Sequence, residues 1–204
     1  MRLRNSFAPP CWQTDQMTPA EEKKALRQRL LAERKAINGS EKAALDLALC
    51  THVAQAEAFR QADLVLGFLP IRGEPDLTPL FDLARSLGKT VALPRCANGE
   101  MYFLAFSAET VCVPDQFGIL APPPDAPLVH GTKDTLCLLP GLAAGRDGTR
   151  LGYGGGFYDR FLTSFAGHTL FALYHRFLFP TLPTDFLDLP AEIIITEKGV
   201  ITPL

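Results

Sequence analysis

Short apolar runs alternate along this chain with segments of helical pattern, and several of the runs end at proline. The runs are Ala62–Pro70, Thr90–Pro94, Met101–Phe106, Thr135–Pro140, Thr169–Tyr174 and Glu192–Thr196. Continuous apolar runs of this length are typical of strands that are buried on both faces, as in a parallel sheet. Because parallel strands need crossover connections, the alternation predicts an α/β fold: a three-layer sandwich with a mainly parallel central sheet.

The helical segments carry their own start and stop signals. Thr18, Pro19 and Glu21 form a capping box with proline at the first helical position, and Gly39 is expected to end this first helix. Further helices are predicted over Ser40–Phe59, Thr78–Leu87 and Gly156–Phe165, and an irregular loop over Ser107–Asp134.

Residues 1–17 differ from the rest of the chain. They contain two arginines but no apolar stretch of the kind that a secretory signal needs. We expect a poorly ordered extension, with an organelle-targeting peptide as the weaker alternative. No internal repeat or low-complexity tract interrupts residues 18–204, which predicts one domain.

The composition excludes several classes of function. Lys and Arg total 20 against 22 Asp and Glu, so the chain lacks the positive field of a nucleic-acid-binding protein. No segment approaches the roughly 20 apolar residues that span a bilayer. The five cysteines are widely spaced and show no zinc-ligand pattern, which favours reduced thiols. Reduced thiols predict a cytoplasmic protein, and we also expect a monomer that acts on small molecules.

The segment Pro140–Asp159 reads PGLAAGRDGTRLGYGGGFYD, follows a predicted strand and precedes a predicted helix. Proteins use this order to hold a phosphate at a helix N-terminus, where backbone N–H groups face the ligand. Arg146 and Arg150 add positive charge, and Asp159 offers the carboxylate oxygens that Mg²⁺ prefers beside phosphates. The glycines that leave the backbone open to a ligand are Gly152, Gly154, Gly155 and Gly156.

Standard nucleotide motifs do not fit this loop. The dinucleotide pattern G-x-G-x-x-G fails at Phe157, and the P-loop pattern is absent. The sequence Gly88-Lys89-Thr90 lacks the first P-loop glycine, since Leu83 stands there, and it is better interpreted as a helix stop that leads into a strand. A glycine loop without a ligand is the alternative, and it is weakened by the neighbouring arginines and Asp159.

The loop closely resembles the 5-formyltetrahydrofolate cyclo-ligase family, whose pattern is PGLAFDxxGxRLGYGGGYYDRFL. The order RLGYGGG–aromatic–YDRFL is specific, and the resemblance extends over Glu21–Leu204. It implies a Rossmann-like, CoA-transferase-like fold. It also implies ATP- and Mg²⁺-dependent conversion of 5-formyltetrahydrofolate to 5,10-methenyltetrahydrofolate, with release of ADP and phosphate after phosphorylation of the formyl oxygen.

The resemblance also implies roles for particular residues. Lys23 and Arg27, four residues apart on one helix face, match the basic residues of the family's first helix and are assigned to ATP. Glu74 matches the glutamate that recognises the pterin. The expected catalytic residues are Arg150, Tyr153 and Asp159. ATP contacts are expected from Arg150, Tyr158 and the loop glycines, and substrate contacts from Tyr153 and Phe157. The expected Mg²⁺ ligands are Asp159 and Asp188.

Four positions depart from the family pattern. Phe157 replaces a tyrosine, Phe177 replaces a glutamine, and Ala121 and Leu187 replace a common Glu and His. These departures keep a second hypothesis open: a non-catalytic or divergent folate- or nucleotide-binding regulator on the same fold. A sugar-phosphate or CoA-ester enzyme is a third hypothesis without a supporting motif.

Overall fold

The computed structural model describes residues 18–184 and 188–201 of the chain. The helices are α1 (Pro19–Lys35), α2 (Gly39–Gln55), α3 (Glu57–Gln61), α4 (Pro79–Ser86) and α5 (Phe157–Leu162), and a 3-10 turn covers His175–Phe177. The strands are β1 (Leu64–Leu66), β2 (Thr90–Ala97), β3 (Glu100–Ala105), β4 (Val113–Pro114), β5 (Leu120–Ala121), β6 (Leu128–Val129), β7 (Thr135–Leu139), β8 (Ala143–Gly145), β9 (Arg150–Leu151), β10 (His168–Ala172), β11 (Leu178–Phe179), β12 (Ile193–Thr196) and β13 (Gly199–Ile201).

The first two helices begin at side-chain caps. The predicted capping box is confirmed, because Thr18 caps the amide of Glu21 and the Glu21 carboxylate accepts from the Thr18 amide at 2.8 Å. The predicted stop at Gly39 is wrong: α1 ends at Lys35 and Gly39 is the first residue of α2. The Asn38 side chain caps that helix by accepting from the Glu41 amide at 2.8 Å.

The predicted helix over Ser40–Phe59 is divided in the structure. Ala56 adopts an extended conformation, with φ −64° and ψ 137°, between α2 and α3. An extended residue cannot continue the helical ladder, so the chain changes direction there.

The predicted mainly parallel sheet is confirmed. Its strand order is β13-β12-β10-β7-β1-β2-β3-β6. The five strands from β12 to β2 are parallel to one another, while β13, β3 and β6 add antiparallel edges. The centre of the sheet is fully apolar, with exposed fractions of 0–1% at Leu136, Leu138, Leu139, Leu170 and Phe171.

The strand order separates the helices into two layers. From β1 the chain crosses through α4 to β2, whereas from β7 it crosses through α5 to β10 in the opposite direction along the sheet. Because such crossovers are right-handed, α4 and α5 lie on opposite faces. The three-layer α/β sandwich is therefore the architecture of this chain.

The segment Ser107–Asp134 contains some regular structure. It holds the hairpin β4–β5 and the edge strand β6, each strand two residues long, so the segment is mainly loop, as predicted. Strands of two residues are too short to show the alternation of apolar and polar side chains that predicts a strand. The predictions for residues 1–17 and Leu187 fall outside the described residues. Along 18–184 and 188–201, no helix has the length and apolar character needed to cross a membrane.

Candidate active site

A cavity of about 580 Å³ lies where the strand order reverses. The chain proceeds from β1 and from β7 in opposite directions, so the loops after these two adjacent strands separate and leave a crevice. The loop after β1 contributes Phe68 and Glu74, and the loop after β7 contributes Pro140. The predicted site residues that line the same cavity are Glu74, Arg150, Gly152, Tyr153, Gly154, Gly155, Gly156, Phe157, Tyr158 and Asp159.

The glycine-rich segment is built on a small second sheet rather than directly on β7. Strands β8 and β9 pair antiparallel, and β11 pairs with β8. After β9 the chain turns through Gly154 (φ 93°) and Gly156 (φ 65°), backbone conformations that favour glycine. A Cβ at Gly154 would lie 3.5 Å from the Arg27 guanidinium carbon. The backbone of Gly154 and Gly155 is exposed, as a phosphate-binding loop requires.

Arg150 and Asp159 form an ion pair in the wall of the cavity. Arg150 is 7% exposed, and its Nη2 donates to Asp159 Oδ1 at 2.8 Å. Its Nη1 donates to the Pro140 carbonyl at 3.1 Å, which ties the loop after β7 to β9. The Asp159 side chain keeps 26% of its surface exposed. One partly exposed carboxylate beside an exposed glycine backbone suits Mg²⁺, which binds through few carboxylates together with substrate phosphates.

Helix α1 lies against the glycine-rich segment. Lys23, Arg27 and Arg34 fall on one stripe of this helix, and the Arg27 Nε donates to the Gly152 carbonyl at 2.9 Å. Lys23 is buried in an ion pair with Asp188. Neither Lys23 nor Asp188 is among the described residues that line the cavity.

The structure does not place Asp188 on the cavity wall with Asp159. Within the described ranges, no cluster of three or more His, Cys, Asp or Glu side chains could hold a metal ion. The Mg²⁺ roles of Asp159 and Asp188 therefore stay predictions, with Asp159 the better placed of the two.

Glu74 is a buried carboxylate held by its own loop. It is 1% exposed, and its Oε2 accepts from the Ile71 amide at 3.0 Å. Arg72 and Gly73 have positive φ values of 50° and 74°, and they turn the chain so that Glu74 faces inward. Burial raises the pKa of Glu74, opposed by the Ile71 amide, the Tyr153 hydroxyl and the positive charge of Arg34.

Tyr153 connects the glycine-rich segment to that carboxylate. The Arg72 guanidinium lies 5.5 Å above its ring, and its hydroxyl accepts from Arg34 Nη1 at 3.0 Å. Burial, and next the negative charge of Glu74, raise the pKa of Tyr153. The hydroxyl therefore stays protonated and able to donate a hydrogen bond at neutral pH.

Comparison with known proteins agrees with this geometry. Residues 19–197 match the sequence model of the 5-formyltetrahydrofolate cyclo-ligase family. The chain belongs to the 5-formyltetrahydrofolate cyclo-ligase family.

Relatives of the same name share the similarity over most of their length. The protein from Mycolicibacterium smegmatis is 30% identical over 69% of this chain and 76% of its own. The mouse protein is 24% identical over 87% of this chain and 94% of its own. The solution structure of Aquifex aeolicus 5,10-methenyltetrahydrofolate synthetase has a TM-score of 0.79 and 30% identity, covering 88% of this chain and 92% of that one. A Mycoplasma pneumoniae synthetase with 21% identity and a TM-score of 0.71 supports the fold.

Two departures from the cyclo-ligase pattern have structural explanations. Phe177 is fully buried, with its ring 5.5 Å from the Arg34 guanidinium carbon and 6.3 Å from the Tyr174 ring. The position is thus part of the core, and a cation–π contact is made there in place of the missing polar contact. Ala121 is also fully buried, on β5.

Phe157 and Tyr158 lie on different parts of the cavity wall. Phe157 makes an edge contact with Phe117, centroids 5.4 Å apart, and Arg160 covers it at 4.7 Å. Tyr158 lies 5.9 Å from the Arg150 guanidinium carbon, and its buried hydroxyl has no hydrogen-bond partner in the described part of the chain. Burial raises the pKa of Tyr158 well above its usual value.

Sequence reasoning missed two contributors to this cyclo-ligase site. The first is Arg34, which the spacing of Lys23, Arg27 and Arg34 along one helix stripe could have revealed. The second is the β4–β5 hairpin, whose Asp115 and Phe117 line the cavity. Two-residue strands leave no periodic signal from which it could have been found.

Proposed function

We propose that this protein converts 5-formyltetrahydrofolate to 5,10-methenyltetrahydrofolate and consumes ATP, releasing ADP and phosphate. The observation that carries this proposal is that one cavity joins a buried carboxylate, Glu74, to a glycine-rich loop that holds the Arg150–Asp159 ion pair. A carboxylate suits the N–H edge of a pterin, and an open backbone with an arginine suits a phosphoryl group. Family membership supports the same chemistry.

The reaction needs activation because a formamide oxygen is a poor leaving group. The formyl oxygen attacks the γ-phosphorus of ATP, and ADP departs. The N10 lone pair then attacks the formyl carbon of the resulting iminium phosphate, the carbon–oxygen bond breaks, and phosphate leaves as N10 loses its proton. Phosphoryl transfer depends on positioning and charge neutralisation, so no nucleophilic side chain is required.

In this proposal the residues divide into three groups. Arg150 and the amides of Gly152, Gly154, Gly155 and Gly156 contact the transferred phosphoryl group, while Lys23, Arg27 and Tyr158 complete the ATP site. Glu74 accepts from the pterin, with Tyr153 and Phe157 beside the pterin or formyl group. Asp159, with Asp188 as the second predicted ligand, would hold Mg²⁺, and the bound metal would supply charge neutralisation at the phosphates.

The test is a turnover assay with purified protein, Mg²⁺-ATP and 5-formyltetrahydrofolate, followed by methenyltetrahydrofolate absorbance and ADP release. We expect one ADP for each product molecule and no product with a non-hydrolysable ATP analogue. Tight folate binding without ADP release would favour the regulator hypothesis instead. No turnover by folded, metal-supplemented protein would contradict the proposal. A cytoplasmic, monomeric state stays a prediction.

A further inference from the structure

Arg34 is a buried arginine to which neither the loop motif nor the proposed chemistry assigns a role. It lies in the last turn of α1 with 2% of its surface exposed. Desolvating a guanidinium is expensive, so its hydrogen bonds must compensate for the water that it has lost. Those hydrogen bonds all go to segments that build the cavity.

One arm of the guanidinium fixes the chain after β7. Nη2 donates to the Gly141 carbonyl at 2.7 Å and to the Leu142 carbonyl at 3.3 Å. The aliphatic part of the side chain packs on the loop of Glu74, because a Cβ at Gly73 would lie 3.1 Å from Arg34 Cγ. Phe177 covers the guanidinium from another side. Arg34 therefore joins the loop after β1 to the loop after β7, the two loops between which the cavity lies.

The other arm determines the direction of a hydrogen bond. Nη1 donates to the Tyr153 hydroxyl oxygen at 3.0 Å. An arginine nitrogen is a donor only, so the tyrosine oxygen must accept, and its own proton remains available. The Glu74 carboxylate lies near this hydroxyl, and its buried Oε1 has no hydrogen-bond partner among the described residues. Arg34 thus leaves the Tyr153 proton available to an acceptor at this end of the cavity.

The same arrangement affects the charge of Glu74. In the described part of the chain, the charged and titratable groups that interact with this carboxylate are Arg34, Tyr153 and Tyr158. Burial raises the pKa of Glu74, whereas the positive charge of Arg34 and the Tyr153 hydroxyl lower it. Removing Arg34 therefore raises that pKa further, and less of the carboxylate is ionised at a given pH.

We propose that Arg34 is a positioning residue for the folate: through its hydrogen bonds to the Tyr153 hydroxyl and to the Gly141 and Leu142 carbonyls it holds Tyr153 and the loop of Glu74 where the pterin binds. The inference rests on the proposed function. A lysine keeps the charge but cannot reproduce the planar fork that spans the Gly141 and Leu142 carbonyls and Tyr153 at once. Charge and geometry can therefore be separated by substitution.

The experiment compares Arg34→Met, Arg34→Lys and the control Arg29→Met, a substitution on the same helix at a side chain that is 59% exposed. Steady-state kinetics are measured across pH with each substrate varied. We expect Arg34→Met to raise the folate KM about tenfold and to leave the ATP KM within about twofold. Its rise in folate KM at acidic pH should begin at a higher pH than in wild type. Arg34→Lys should also raise the folate KM, but the further rise at acidic pH should begin at the same pH as in wild type. Arg29→Met should match wild type in both KM values and at every pH.

The inference would be overturned if Arg34→Met raised the folate KM and the ATP KM equally. It would also be overturned if the folate KM began to rise at the same pH in Arg34→Met and in wild type, since Arg34 would then be a structural residue. If Arg34→Met does not fold, Arg34→Lys decides: a raised folate KM with an unchanged ATP KM supports the inference, and an unchanged folate KM, or equal increases in both KM values, overturns it. Absent turnover in wild type refutes the proposed function alone. Calorimetry of 5-formyltetrahydrofolate binding then tests Arg34, with weakened binding in Arg34→Met as support and unchanged binding as refutation.

Discussion

The cavity combines two regions built in opposite ways. The buried corner consists of Arg34 and Glu74, which are 2% and 1% exposed, and of the half-buried side chain of Tyr153, all from segments far apart in the chain. The glycine-rich loop, Gly152–Gly156, supplies that tyrosine but is otherwise open, with Gly154 and Gly155 exposed. The corner suits a rigid ring with a fixed N–H edge, because charges that are already desolvated and oriented lose little on binding. The loop suits a flexible polyanion, which needs many amide donors.

This difference predicts that substitutions near the loop change turnover and ATP kinetics, whereas substitutions in the corner change folate kinetics. The largest effect is expected for Asp159→Asn. It removes the negative partner of Arg150 and a carboxylate proposed for Mg²⁺, so we expect kcat to fall about 100-fold, the loss typical of removing a charge-stabilising contact in a transition state. Initial rates at saturating ATP and folate, measured at increasing Mg²⁺ concentration, give the kcat of the variant. Asp82→Asn, at a carboxylate whose side chain is 81% exposed, is the control. A wild-type kcat in Asp159→Asn would remove Asp159 from the mechanism.

Glu74→Gln should have the next largest effect, and on the other substrate. Losing the buried carboxylate is expected to raise the folate KM about 30-fold, as for a hydrogen bond to a charged group. The ATP KM should change little. Glu57→Gln, on the exposed surface of α3, provides the matched control. If the ATP KM of Glu74→Gln rose as much as the folate KM, the separation between corner and loop would be wrong.

Glu74→Gln also tests how the buried carboxylate affects the thermal stability of the protein. Because burial holds the folded-state pKa of Glu74 above its unfolded value, its stabilising contribution is complete below the unfolded pKa and is lost as pH rises through the folded pKa. Glu74→Gln does not carry this loss. Its Tm relative to wild type should therefore increase from acidic to alkaline pH in thermal melts. A Tm difference that is independent of pH would show that Glu74 is not destabilised by its charge.

The smallest effect is expected for Lys23→Met, which removes one of the two α1 cations assigned to ATP. Lys23 is buried against Asp188, whereas its neighbour Lys24 is exposed. We expect the ATP KM to rise about fivefold in Lys23→Met, which corresponds to the loss of one hydrogen bond of about 1 kcal/mol, and to stay unchanged in Lys24→Met. Initial rates at saturating folate give both values. Equal effects in the two variants would show that general surface charge, rather than Lys23, attracts ATP.

Much of the scaffold could be predicted from the sequence because its signals are local. The capping box at Thr18 and Glu21 involves residues three positions apart, and the run Thr135–Pro140 is apolar throughout because β7 is buried on both faces. The prediction at Gly39 was wrong because Asn38 offers a better cap for the next helix than glycine offers as a stop.

The glycine-rich loop was visible in the sequence because the backbone groups that it exposes are consecutive residues. The sequence by itself therefore determined the layers of the fold, the family and the glycine-rich end of the cavity. The buried corner was different: Glu74 was found by resemblance, but Arg34 was not found at all. Only the tertiary structure decided that Arg34 meets Tyr153, 119 positions away, and that Asp188 pairs with Lys23. Such contacts depend on how separate elements pack, which no local pattern of residues records.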